Sequence, residues 1–415
     1  SHNSGIDSSA HSTEREKLIP KRAILPYFLQ VKQNNDELWQ SWNVTPELEE
    51  RFVHSVRMKP RRTASGVATI TVITRPHTCS SNCIYCPCDL RMPKSYLANE
   101  PACQRAELTF FDPYVQVAAR LQALHQMGHS TDKVELIVLG GTWSDYPEGY
   151  QYWFIKELFR ALNEWPNSPS RIQERLDWYS SFGVQYTEEA LSSFVAEQQA
   201  AVFEDTATYN QAFHKLYDTS QPHQSAWSQM ESTYDELVEQ QHVNETAAAR
   251  VVGLVIETRP DTITPDNLRM FRQLGCTKIQ IGIQSTRQEI LDANKRQMSA
   301  AQIKRAFSLI RLYGFKIHSH LMVNLLGATP EADKQDFKTF VTDPGFLPDE
   351  IKLYPCALVS GTQLVQKYRE GAWQPYDKDE LVDVLVQDVL NTPPYVRISR
   401  MIRDISATDI LVGNK

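Results

Sequence analysis

A chain of 415 residues, 41% apolar and 22% charged with a formal net charge of -7, is long enough for one large domain and an accessory one, and its composition is that of an ordinary globular protein. No window holds the ~18 consecutive apolar residues of a membrane span, and no basic-then-apolar leader opens the chain, so a cytoplasmic protein with no membrane partner is expected. Seven cysteines in so long a chain exclude the short, cysteine-dense disulfide scaffold and favour a reduced chain with a metal or redox site.

Residues 1–14, SHNSGIDSSAHSTE, lack an initiator Met and read as a tag remnant and disordered lead-in. Within 51–75, Arg51, Arg57, Lys59, Arg61, Arg62 and Arg75 stand with no Asp or Glu. That is either a solvated basic face or a phosphate-binding patch, and 15–66 is expected to be an N-terminal RNA-binding segment. A β-branched run at 67–74 (VATITVIT) then opens a repeating pattern. Further strands are expected at 133–140, 251–257, 278–283, 315–322 and 350–355.

Helices are expected between the strands. Asp112-Pro113 and Thr264-Pro265 are start signals, and Gly275 is a stop. Ser299 with Gln302 is a capping box, after which Ile303, Ala306, Phe307 and Ile310 keep helical spacing up to Gly314. Strand and helix alternating implies parallel strands with right-handed crossovers. The fold expected over 67–415 is an α/β, incomplete parallel (β/α)6 barrel, TIM-like and open on one side. The polar, acidic, helix-like stretch of about 165–248 is expected to be a helical insertion on it.

Four of the cysteines crowd into HTCSSNCIYCPCDL, just after the first strand. Cys79, Cys83 and Cys86 are spaced C-x3-C-x2-C. Three thiolates on one loop suit three corners of a [4Fe–4S] cluster, leaving a fourth iron for a small chelator such as S-adenosylmethionine. The alternative is zinc, with Cys88 or His77 as fourth ligand.

That cysteine spacing after the first strand of a partial barrel resembles the radical S-adenosylmethionine (radical SAM) superfamily. RMKPRRTASGVATITVITRP, DKVELIVLGGT, VGLVIETRPD, IQIGIQS, EIKLYP and YVRISRMIRDI together resemble the catalytic subunit of the Elongator complex and its bacterial and archaeal homologues, the tRNA uridine(34) acetyltransferases. The resemblance covers most of 50–413. It implies a radical SAM-type barrel, a [4Fe–4S] cluster, S-adenosylmethionine, acetyl-coenzyme A as co-substrate, and tRNA bound by its anticodon loop. It also implies the chemistry: a 5′-deoxyadenosyl radical takes hydrogen from the acetyl methyl, the acetyl radical adds to C5 of the wobble uridine, and thioester hydrolysis leaves a carboxymethyl-type group. Partners would be other Elongator-type subunits where an organism has them, and a homodimer. The family continues into an acetyltransferase domain, which is expected to be absent from this chain.

Active-site residues belong at the C-terminal ends of the strands. The resemblance puts Gly140, Gly141 and Thr142 against the methionine amino group of the cofactor. Glu257 suits its ribose hydroxyls and Arg259 its carboxylate, unless the two make a structural ion pair. Gln284 and Ser285 follow the fourth strand and suit cofactor or strand-end backbone. His318 and His320 share one side of the fifth strand, and His320 matches the family's His before its MPGLPG element, here MVNLLG. Lys352 and Tyr354 alternate likewise on the sixth; with His320 they are the catalytic candidates. Arg397, Arg400 and Arg403, spaced by three, suit a helix face or an extended basic edge. With Arg57, Lys59, Arg61, Arg62 and Arg75 they make up the expected tRNA surface. The family's RGHT is here RQMS (296–299), and Ser80, Ser81 and Asn82 fill the first cysteine gap. Two rival readings are a radical enzyme for a small molecule and a tRNA-binding module with a vestigial cluster.

Overall fold

In the computed structural model, which describes residues 19–185 and 187–413, each β-branched run forms its strand close to the expected bounds. These are β1 (Ala68–Ile73), β2 (Lys133–Leu139), β3 (Arg250–Thr258), β4 (Lys278–Gln284), β5 (Lys316–Val323) and β6 (Glu350–Pro355). The lead-in expected over 1–14 lies outside the described residues. Short strands β7 (Leu358–Val359) and β9 (Ile410–Val412) pair antiparallel, while β8 (Arg397–Arg400) joins the main sheet beside β6.

Among the described residues the sheet has seven strands, all parallel, in the order β1-β2-β3-β4-β5-β6-β8, curled into a half-barrel whose edges β1 and β8 do not pair. The α/β partial barrel therefore forms as expected, with a seventh strand beyond the six. Arg397 and Arg400 lie on that strand, so the extended edge is the correct reading and the helix face is not. The strand was hard to see because R-I-S-R has one apolar residue in four.

The core lies between sheet and crossover helices. Ile70, Val72, Leu136, Leu254, Ile256, Ile279 and Ile281 are buried on the sheet. The helix Ala300–Leu312 buries Ile303, Ala306, Phe307 and Ile310, the predicted stripe. Helix starts follow the predicted caps. Asp112 Oδ1 accepts the Val115 N–H at 2.8 Å, Thr264 Oγ1 that of Asn267 at 3.2 Å, and Ser299 with Gln302 forms the capping box. Gly275 and Gly314 end helices at φ +86° and +77°.

Between β2 and β3 the chain runs through the helices Glu148–Asn163, Ile172–Ser181, Glu188–Phe203, Tyr209–Phe213, Gln221–Trp227 and Tyr234–Asn244, with a π-helical turn at His214–Asp218.

Residues 19–65, with Ala123–Ser130, form a separate compact unit. Its helices Lys21–Asn34, Asp36–Ser41 and Pro46–Val56 close on Phe28, whose ring meets Trp39 at 5.1 Å and Phe52 at 4.5 Å. Among the described residues no helix is long and apolar enough to cross a membrane.

Candidate functional site

Parallel pairing aligns the strand ends: Glu257 lies beside Gln280, Gly282 beside His320, and His320 beside Lys352. These ends and the loop after β1 line a cavity of about 200 Å³, and Cys79, Cys83 and Cys86 all face it. Cys83 is buried; its Sγ lies 3.0 Å from Ser81 Oγ and accepts from Arg296 Nη1 at 3.3 Å. Burial raises this thiol's pKa, but the Arg296 charge, the Ser81 hydroxyl and Arg259 outweigh it and bring it down to about 6. Burial pushes the Cys86 thiol up, with the Lys94 charge opposing. Lys94 is itself buried, donates to the Ser81 carbonyl at 3.0 Å, and keeps its proton because the four clustered thiols outweigh desolvation.

The candidate fourth zinc ligands point elsewhere. The Cys88 thiol donates to the Cys86 carbonyl at 3.3 Å, and the His77 ring stacks on Tyr146 with Nε2 2.9 Å from the Asp145 carbonyl. Among the described residues no three His, Cys, Asp or Glu side chains stand close enough to grip one ion.

The residues present fit a thiolate-held cluster with a polar ligand beside it. Two buried cations, Lys94 and Arg296, flank three thiols and would offset the negative charge of a cluster bound through them. Around the same cavity the Tyr85 hydroxyl, Gln280 Nε2, Gln284 Oε1, Arg296 Nε and His320 Nε2 are buried without a hydrogen-bond partner among the described residues. Buried polar atoms are normally satisfied, so five orphans around one space mark a place for a polar ligand.

The other predicted residues divide. Gly141 and Thr142 line the cavity; Gly140 does not. At φ +149°, a Cβ on Gly140 would fall 1.7 Å from Thr74 Oγ1, so this glycine lets the β2 turn close on the end of β1. Glu257 lines the cavity and accepts from the Tyr96 hydroxyl. Arg259 also reaches the wall, but Asp261 already holds it through two 2.9 Å hydrogen bonds, so the ion pair is real although its partner is not Glu257. Gln284 lines the cavity from a left-handed backbone, φ +71°, at a register shift of β4. Ser285, expected at the cofactor or the strand-end backbone, does not line the cavity and donates to Asp336 at 2.5 Å.

His320, Lys352 and Tyr354 come together on the cavity wall, whereas His318 bonds Ser399 Oγ at 2.7 Å outside it. Burial, then Lys352, drives the His320 pKa well down. Lys352 Nζ donates to Gln280 Oε1 at 2.9 Å. Burial lowers the Lys352 pKa to about 8 although Glu257 opposes the fall, and burial raises the Tyr354 phenol to about 12.

Of the predicted tRNA-binding residues, Lys59, Arg61 and Arg62 are exposed at the turn Pro60–Thr63 and Arg57 is half-buried. Arg397 is exposed on β8. Arg400 and Arg403 line the cavity mouth, paired with Asp404 at 3.2 Å and Glu100 at 2.6 Å. Arg75, unlike these, is buried between the rings of Trp227, 4.0 Å away, and Tyr150, 4.8 Å away. Lys94, Tyr96 and Arg296 escaped the sequence reading. The first two follow the cysteines in a stretch without periodicity, and only the altered RQMS text flagged the third.

The sequence signature of the Radical SAM superfamily matches residues 222–339, and that of the Radical_SAM C-terminal domain matches 348–415. The chain thus carries radical SAM domains over these stretches. It is 34% identical over 377 residues to a tRNA uridine(34) acetyltransferase of Methanocaldococcus infernus, covering 89% of this chain and 58% of that protein. It is 29% identical to the Elongator complex protein 3 of Bos taurus, covering 87% and 56%. The solved archaeal Methanocaldococcus infernus Elp3 with its N-terminus (1-46) deleted superposes with a TM-score of 0.58 at 30% identity, covering 84% of this chain and 59% of that one. The resemblance read from the sequence is borne out. The chain spans less than two thirds of the length of these relatives.

Proposed function

We propose that this chain is a tRNA-modifying radical SAM enzyme acting on C5 of wobble uridine 34, with acetyl-coenzyme A as co-substrate and a carboxymethyl-type group as the modification. The observation that carries it is the cavity at the strand ends, where three thiols, two buried cations and five orphaned polar atoms converge. The similar proteins named for that tRNA position supply the substrate class.

Cys79, Cys83 and Cys86 would hold a [4Fe–4S] cluster, and S-adenosylmethionine would take the polar space beside it. Together these groups supply a carbon-centred radical able to take hydrogen from an unactivated C–H bond. The chain's residues bind and orient. Lys94 and Arg296 balance charge at the thiolates. Gln284 and Glu257 offer acceptors to the hydroxyls of a nucleoside. Tyr354 stays a proton donor at neutral pH, His320 stays a neutral imidazole, and Lys352 exchanges a proton near pH 8, which suits them to proton transfer at the base or thioester. Lys59, Arg61 and Arg62 suit phosphate contacts, and the target base must leave its stack to reach a cavity.

The test is anaerobic reconstitution followed by reduction with S-adenosylmethionine present, and a tRNA-binding titration at several salt concentrations. The proposal expects iron uptake, release of 5′-deoxyadenosine, and salt-dependent tRNA binding; Cys83→Ala should lose the first two. Iron and 5′-deoxyadenosine without tRNA binding would instead mean a small-molecule radical enzyme. Binding of tRNA without iron would leave a binding module.

A further inference from the structure

The loop carrying the cysteines is held from outside by side chains far along the sequence. Asn210 Oδ1 accepts the Cys79 N–H at 3.1 Å, and its Nδ2 donates to the Cys79 carbonyl at 2.8 Å. One amide thus occupies both backbone groups of the first thiol residue. Gln199 bridges two residues at the other end: its Oε1 accepts the Leu90 N–H and its Nε2 donates to the Cys88 carbonyl, both at 2.8 Å. Two buried phenols complete the grip. Tyr209 donates to the Met92 carbonyl and Tyr217 to the Leu90 carbonyl, each at 2.8 Å. All four residues lie between β2 and β3, 109 to 131 residues from their partners. Tyr217 comes from the π-helical turn, a local irregularity of the kind that re-aims a side chain. The Tyr209 ring also lies 5.6 Å from Lys94 Nζ, the cation that faces the thiols.

We infer that the helices between β2 and β3 clamp the cysteine loop, and that Asn210 and Gln199 are positioning residues that hold the cluster's thiolates in register. Partners that orient metal ligands without touching the metal tune its affinity, and losing one typically weakens metal binding roughly 10- to 100-fold. A two-point amide contact fixes the direction of a peptide as well as its position, which a single hydrogen bond does not. The inference rests on the cluster proposed above.

The experiment compares the wild-type chain with Asn210→Ala, Gln199→Ala and the double variant after anaerobic reconstitution, with Ser193→Ala, an exposed change in the same helical region, as control. Far-ultraviolet circular dichroism and thermal melting of the iron-free proteins check the fold. The readouts are the rate of iron release to a chelator and the electron paramagnetic resonance line shape of the reduced cluster. We expect each single variant to fold, to release iron about tenfold faster than wild type or more, the double variant faster still, and the line shape to shift. Asn210→Asp, which keeps only the acceptor for the Cys79 N–H, should fall between wild type and Asn210→Ala. Variants that hold iron as tightly as Ser193→Ala with an unchanged line shape would overturn the clamp and leave the cluster standing. A wild-type chain that takes up no iron would overturn both.

Discussion

Lys352 stands in the cavity wall with its ammonium on the Gln280 amide, and its charge is costly there. Its pKa is near 8 in the folded chain, against about 10.4 for a free lysine. Between those values the unfolded chain holds the extra proton, so the penalty for burying the charge is complete below about pH 8 and fades towards about pH 10.4. Lys352→Met should therefore be more stable than wild type at neutral pH, with the gap in denaturant midpoint shrinking as pH rises through that window. A gap constant with pH would mean that the amine titrates normally. Gly140 makes a different demand. Gly140→Ala would put a methyl group inside the Thr74 side chain at a φ that alanine resists, and should lower stability by about 1–3 kcal/mol with the denaturant slope unchanged. Residue types were legible at these sites, but their surroundings were not. Arg75 looked like its basic neighbours because nothing local in the sequence shows that Trp227 and Tyr150 cover it.

The helix Pro330–Thr342 shows how an element far from the cysteines shapes the cavity. Its Asp336 accepts from Ser285 Oγ at 2.5 Å, from the Thr286 N–H at 2.9 Å and from the Thr286 hydroxyl, just after the left-handed Gln284. Its Asp333 accepts the Asn324 N–H at 2.7 Å at the end of β5. Asp336→Ala would leave buried donors without an acceptor and should cost about 1–3 kcal/mol, read as a lower denaturant midpoint. Phe337→Ala on the same helix, fully buried, should cost roughly 3–5 kcal/mol. An unchanged midpoint for Asp336→Ala would show that the strand end holds itself. Strands and helix caps were readable because their signals are local: apolar period, Thr-Pro and Asp-Pro starts, a Ser/Gln box. The grip of this helix on the β4 end was not, because Asp336 lies 51 positions beyond Ser285 and no pattern in the sequence links them.

At the scale of the molecule, a net charge of -7 coexists with an exposed basic turn in the N-terminal unit. Nucleic-acid affinity follows local cation density and not the total, so the acidic sum does not oppose tRNA binding. Arg61→Glu with Arg62→Glu should weaken tRNA binding across sequences and lower the salt slope by about one for each phosphate no longer neutralised. An unchanged slope would remove this turn from the interface. The half-barrel and the cysteine loop were legible from strand period and thiol spacing, whereas the helices that grip the loop read only as polar and acidic. The proposed chemistry depends most on what the three thiols hold, and iron with acid-labile sulfide in protein prepared without oxygen measures that directly. About four of each per chain are predicted, with both lost in Cys83→Ala. Zinc in their place, or no metal, would contradict it.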